Sequence, residues 1–381
     1  MKKQTLHNLL MVSLWAFALT SCSKEEIITP VEPASTIEES PTINSRSALP
    51  QNVVGNIHWN ISENHVHDFS FRRSTAVTPS ECGDTPFDAV TSYYNDALIN
   101  GFLENWDYNF DAIDVILGDY FTINQIAAQI ENINTDTFGA NGEYTNFMKQ
   151  QVRSLEKFWD MPNLISVRGQ HTATLQDLSF IRYVYENYSS ATPQEIDYLI
   201  SIAQHYNDSS DQIPENPFYA VDGFATSTGV IVIGDGLVSM LAETGLDPQV
   251  VWSGILAHEW SHQIQFQNRA HWTYPVPPFI GIPESTRMTE LEADFFTGYY
   301  LTHKRGGTYN WKRVEAMLSS FYNIGDCGFQ NPSHHGTPDQ RLEAARQGYL
   351  QASAVQKKGH LPDAQTIHNA FIMTLPSIVG E

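Results

Sequence analysis

The stretch Ala257-His258-Glu259-Trp260-Ser261-His262 decides how the rest of the chain is read. Its two histidines stand four residues apart, about one helical turn, so on a helix both imidazoles project from one face and can grip a single cation. The glutamate between them can reach a water beside that cation and act as general base. The spacing carries this meaning only on a helix, and the flanks predict one. Asp247-Pro248 supplies an N-cap residue followed by proline at the first helical position. Val251 and Ile255 precede His262 at spacings of one or two turns, and neither glycine nor proline interrupts Ala257 to Arg269.

A second predicted helix supplies what the first lacks. Opening at Thr286, the run Arg287-Met288-Thr289-Glu290-Leu291-Glu292-Ala293-Asp294-Phe295-Phe296 places Glu290 and Asp294 four apart on one face. Glu290 is then a third, anionic ligand. Asp294 is a carboxylate behind it, placed to accept the outer N–H of a ligand imidazole, that of His258 first. Glu292 competes with Glu290 for the ligand role, and the E-x-x-x-D spacing favours Glu290. Two histidines and one glutamate leave the fourth position on Zn2+ open, as a catalytic site requires. Taken singly, paired histidines are often plain buried or surface residues, and an acidic run is often a solvated turn. The order of the two helices is what points to zinc.

Two further segments extend the pattern: Asn216-Pro217-Phe218-Tyr219-Ala220 with Gly229-Val230-Ile231-Val232-Ile233-Gly234-Asp235-Gly236-Leu237, and His334-His335-Gly336-Thr337-Pro338-Asp339-Gln340-Arg341. In this order the elements resemble the gluzincin metallopeptidases over about residues 216 to 348. Within these the likeness is to the minigluzincins of CAAX-prenyl-protease and heat-shock-peptidase type and to a group of bacterial neutral zinc metallopeptidases. The resemblance implies that His258, His262 and Glu290 bind zinc, that Glu259 is the base, and that Asp294 supports a ligand. It implies an endopeptidase acting on a peptide or protein, whose strand near Thr228 to Ile233 pairs with an extended substrate. His335 is the first candidate for stabilising the transition state, with Tyr299 and His334 in reserve; Arg341 has the plainer alternative of pairing with a core carboxylate. A metzincin is excluded, because position 265 is Gln rather than Gly and position 268 is Asn rather than His. The proline-rich Tyr274-Pro275-Val276-Pro277-Pro278-Phe279 reads as a connection, and otherwise as a lid or a substrate rim.

The N-terminus predicts location. Lys2 and Lys3 precede a run of mostly apolar residues, Leu9 to Thr20, too short to span a membrane and of signal-peptide type. Leu19-Thr20-Ser21-Cys22 resembles a bacterial lipobox, which implies cleavage before Cys22 and lipidation there. Residues 1–21 are thus a signal peptide, and 22–50, rich in Ser, Thr, Pro and Glu, are a disordered tether. The expected place is the cell envelope, lipid-anchored to the outer membrane and facing the periplasm or the cell surface. Two cysteines remain, Cys82 and Cys327, which an oxidising compartment would allow to pair as a disulfide.

A net charge of −22 argues against nucleic acid or anionic lipid as partner, so the membrane is met only through the anchor. The 41% hydrophobic content suffices for a large core after residue 50. Apolar spacing near 3.6 predicts helices near 86–104, 122–132, 144–159, 174–188 and 193–206; separately, Leu164 to His171 and Gly223 to Ile233 read as strands. The fold class is α+β, mainly helical: zincin-like, with a small sheet, an H-E-x-x-H helix and a glutamate helix. Residues 51–143 form an N-terminal helical region and 144–381 the zincin-like domain. His65-Val66-His67 could share a strand face but reads as solvated. Asp107 to Asp111 starts like a calcium loop, yet Ala112 and Gly118 replace its required Gly and Glu. Two other function classes could use the same residues: a surface lipoprotein of zincin fold that binds protein or glycan without catalysis, and a zinc hydrolase of a non-peptide amide or ester.

Overall fold

The computed structural model describes residues 59, 86–104, 110–129, 135–210, 213–310, 312–317, 335–356 and 361–380. The signal-peptide and tether segments, Cys22, Cys82, Cys327, His65, His67 and His334 lie outside them. Helices dominate: α1 (Pro86–Glu104), α2 (Phe110–Gln129), α3 (Thr145–Trp159), α4 (Leu178–Tyr188), α5 (Pro193–Ser209), α6 (Asp235–Glu243), α7 (Pro248–Asn268), α8 (Pro283–Thr302), α9 (Pro338–Gln356) and α10 (Ala364–Val379). One sheet of three strands, β1 (Ser166–Gln170), β2 (Gly223–Ala225) and β3 (Val230–Gly234), completes an α+β fold. A single apolar core runs from Phe87 to Ile378, so the described part of 51–143 shares the core of the later residues. Among the described residues no helix is long and apolar enough to cross a membrane.

Helix α7 is the axis of the molecule. It is buried on every face from Val250 to Phe266, because its sequence is apolar or site-forming all round rather than amphipathic. The expected cap holds: the Asp247 carboxylate accepts from the backbone N–H of Gln249 and Val250, and Pro248 occupies the first turn. Helices α1, α3 and α5 fall where the periodicity predicts them, α5 behind a capping box made by Thr192 and Glu195. Elsewhere the boundaries move. Helix α2 begins at 110 rather than near 122, so Asp111, Ala112 and Gly118 are helical and form no calcium loop. In place of one helix from 174, a 3-10 turn at Thr172–Gln176 precedes α4, because the Asp177 carboxylate caps Ser179 and Phe180. Helix α8 starts at Pro283, one turn before the expected Thr286, since proline fits the first turn.

The expected strand over 223–233 is two strands joined by a turn at Thr226–Gly229, where Gly229 has φ +88°. This corrects the substrate-pairing role of the strand near Thr228 to Ile233. The strand order is β1-β3-β2: Val230 to Gly234 pair in parallel with Ser166 to Gln170, and Ile231 to Ile233 pair antiparallel with Ala225 to Gly223. Both hydrogen-bonding edges of β3 are therefore occupied, and no extended peptide can add to it. The hairpin instead orients α7. Gln263, beside His262, donates its side-chain amide to Thr226 O at 2.9 Å and Val230 O at 3.2 Å.

Candidate metal centre

His258 and His262 rise from α7 and meet Glu290 of α8. Their Nε2 atoms are 3.3 Å apart; His258 Nε2 lies 3.3 Å from one Glu290 oxygen and His262 Nε2 lies 3.5 Å from the other. All three residues are buried, and among the described residues they form the one cluster of His, Cys, Asp and Glu arranged to hold a metal ion. Glu292, the competitor for the ligand role, faces away into a separate set of partners.

Two observations test the fit to zinc. Ligand atoms about 2.0–2.1 Å from a tetrahedral zinc lie about 3.3–3.4 Å from one another, which matches the 3.3 Å between the two Nε2 atoms, while each histidine faces a different Glu290 oxygen. Both Glu290 oxygens are also fully buried and receive no directed hydrogen bond. A proton on His258 meets one of them only across a poorly aligned 3.3 Å contact. A divalent cation between the two imidazoles would offset the buried negative charge of Glu290.

Each imidazole is held from behind. His258 Nδ1 is 2.9 Å from Asp294 Oδ1, the partner expected from the E-x-x-x-D spacing. Asp294 in turn accepts two 2.8 Å hydrogen bonds from Arg341 Nε and Nη2, so Arg341 takes its plainer expected role. Burial lowers the pKa of His258, but the adjoining Asp294 and Glu290 carboxylates outweigh it and raise the value to about 9. For His262 burial prevails and its pKa falls, leaving a neutral imidazole. Glu290 is pushed up by burial, yet the facing histidines bring it down to about 2, so it is a carboxylate. Glu259 is wholly buried on the same helix, close enough to His262 to act on its charge.

The segment from His335 to Arg341 has a local logic. Gly336 turns the chain at φ +100°. Thr337 and Gln340 then cap α9 reciprocally, each side chain meeting the other's backbone N–H at 3.1–3.2 Å. Pro338 fills the first turn, and Arg341 follows one step later. His335, buried, sits near enough to Glu290 for its charge to lower that group. Tyr299 is elsewhere: nine residues beyond Glu290 on α8, about 13 Å along the axis, it stacks on His303 and leans on Phe158. Two aromatic residues of the proline-rich loop are packed, while Pro275 and Pro277 are exposed. Tyr274 donates to Glu292, and Phe279 packs against Phe266 at 4.9 Å between ring centres.

The sequence did not point to Gln265, although it stands one turn past His262. Its Oε1 is 2.8 Å from His262 Nδ1, and its amide nitrogen donates to Thr289 O at 2.8 Å and Glu292 Oε2 at 3.0 Å. No family model, curated protein or solved structure matches the chain.

Proposed function

We propose that this protein is a zinc-dependent peptidase of gluzincin type on a zincin-like fold, carried by a lipoprotein of the bacterial cell envelope and cleaving within peptide chains. The observation that carries the reading is the convergence of His258, His262 and Glu290 in one buried cluster able to hold a metal ion, with Glu259 between the histidines on the same buried helix. His258 and His262 would supply neutral nitrogens and Glu290 the one negative ligand. Asp294 orients His258, and Gln265 orients His262. When bound, zinc supplies a Lewis acid for the substrate carbonyl and makes nearby water a better nucleophile.

The protein's own groups manage the proton. Glu259 takes it from the attacking water and passes it to the leaving amine nitrogen, so that hydroxyl ends on the carbonyl carbon and hydrogen on the nitrogen as the C–N bond breaks. His335, close enough to Glu290 to influence its charge, would steady the developing charge. The net charge of −22 keeps nucleic acid out of the partner list. The test is to incubate the zinc-loaded protein with a mixed peptide library and read the products by mass spectrometry, with Glu259→Gln beside it. Cleavage by the wild type and none by a zinc-replete Glu259→Gln is expected. Equal cleavage by both would remove Glu259 from the mechanism, and no cleavage by either would remove the peptidase reading.

A further inference from the structure

Four residues of α7 form one stripe: Gly254, His258, His262 and Phe266 follow at intervals of about one turn. The stripe is closed at the Gly254 end, where a Cβ would collide with the buried Met317 thioether. At the other end Phe279, from the loop that joins α7 to α8, packs on Phe266 with ring centres 4.9 Å apart. Phe266 stands one turn past His262, about 6 Å along the axis. The same loop runs into α8 at Pro283, about 10 Å along that axis from Glu290. It therefore joins both ligand helices and sits on the ligand stripe itself.

The loop differs in composition from the rest of the chain. From Ala270 to Pro283 there is no Asp, Glu, Lys or Arg, although 17% of the whole chain is charged. Single exposed apolar residues are ordinary on a protein surface. Here Pro275, Pro277, Ile280 and Ile282 are all exposed within one short segment, Ile280 by 42% and Ile282 by 39%. They are also held in place. Phe279 has φ +59°, a left-handed backbone that a bulky side chain adopts only at a cost. The wholly buried Ser285 ties that turn: its hydroxyl donates to Pro277 O at 2.9 Å and accepts from the Ile280 N–H at 3.4 Å. Phe279 thus packs inward on Phe266 while its neighbour Ile280 stands in solvent.

We propose that Ile280 and Ile282 determine the specificity of the peptidase, forming an apolar rim that takes a large apolar side chain of the substrate. With both edges of β3 occupied, a peptide cannot be recognised by pairing with that strand, and this loop adjoins the metal centre. An extended peptide advances about 3.3–3.6 Å per residue, so a side chain about two to four positions from the scissile bond reaches the rim. A charged side chain there would lose water and find no opposite charge between Ala270 and Pro283. The preferred substrates are therefore peptides with Leu, Ile, Phe or Met at that position.

The inference rests on the peptidase reading, so the zinc-loaded wild type is first given the mixed peptide library. No cleavage there would sink that reading itself. With cleavage, the products show one position within about four residues of the cut enriched in large apolar side chains; no such enrichment would overturn the rim alone. Ile280→Asp and Ile282→Asp, at exposed positions, keep the zinc content of the wild type. On a peptide carrying Leu at the enriched position they raise KM about ten- to a hundredfold with little change in kcat, the pattern of a contact made equally in ground and transition states. Ile280→Arg moves the enrichment at that position toward Asp and Glu, which a merely structural change in the loop would not do. An unmoved KM in the Asp variants with an unmoved profile in Ile280→Arg would overturn the proposal. Should the charged variants not fold, Ile280→Ser and Ile282→Ser remove the apolar surface without adding charge, and the same rise in KM is expected.

Discussion

Arg341 grips Asp294 with two hydrogen bonds of 2.8 Å, in a pair almost wholly removed from water. The fork geometry holds the carboxylate flat while its Oδ1 also supports His258. Replacing Arg341 by Met removes one of the two cationic partners of the buried Asp294 carboxylate and leaves only His258 beside it. The expected cost is about 3–5 kcal/mol, read from denaturant unfolding of the metal-free protein. Arg341→Lys keeps the charge and loses the fork, so it should fall between the two. A loss below about 1 kcal/mol in Arg341→Met would mean that Asp294 finds another partner.

Metal binding should release a proton. With its pKa raised to about 9, His258 is protonated at neutral pH in the metal-free protein, and a ligand nitrogen must be bare. Apparent zinc affinity should climb about tenfold per pH unit from about pH 7 and level off near 9, with close to one proton released per zinc. A pH-indicator dye during zinc titration counts that proton, and a count of zero would contradict the His258 assignment. The same shift sets a stability trend in the metal-free protein. Because the folded value exceeds the ordinary 6.5, the contribution is full below about 6.5 and disappears as pH rises through about 9. Glu290 runs the other way: depressed from 4.5 to about 2, its contribution is present above 4.5 and lost as pH falls through about 2.

The cluster of His258, His262 and Glu290 was legible because much of it is local. One turn of α7 and one turn of α8 fix which side chains share a face, so spacing pairs His258 with His262 and Glu290 with Asp294. What brings α9 beneath them is not local. Helices α8 and α9 touch through two glycines: a Cβ on Gly298 would sit 2.1 Å from Ala345 O, and one on Gly348 would sit 2.0 Å from Phe295 O. This close crossing carries Arg341 to Asp294, and no periodicity within either helix announces it. The same holds for His368, whose partners Glu292 and Thr273 lie far away in sequence. The strand over 223–233 was misjudged for a related reason. Its apolar run is equally that of one long strand or of a hairpin, and only the turn at Gly229 separates the two.

His335 offers the sharpest separation between holding the metal and using it. It is buried and acts on Glu290 through its charge, yet it belongs to neither helix that supplies ligands. The turn at Gly336 and the capped start of α9 fix its backbone, so truncating the side chain should leave the fold and the ligands in place. If it stabilises charge that appears only as the carbonyl is attacked, His335→Ala keeps zinc affinity within a few-fold. It should lower kcat by about a hundredfold with little change in KM, the pattern of an interaction made in the transition state. A large loss of zinc with normal turnover of the loaded fraction would instead make His335 a support for Glu290. Measuring kcat and zinc content on the same preparation distinguishes the two, because the first outcome moves the rate at constant metal and the second moves the metal at constant rate.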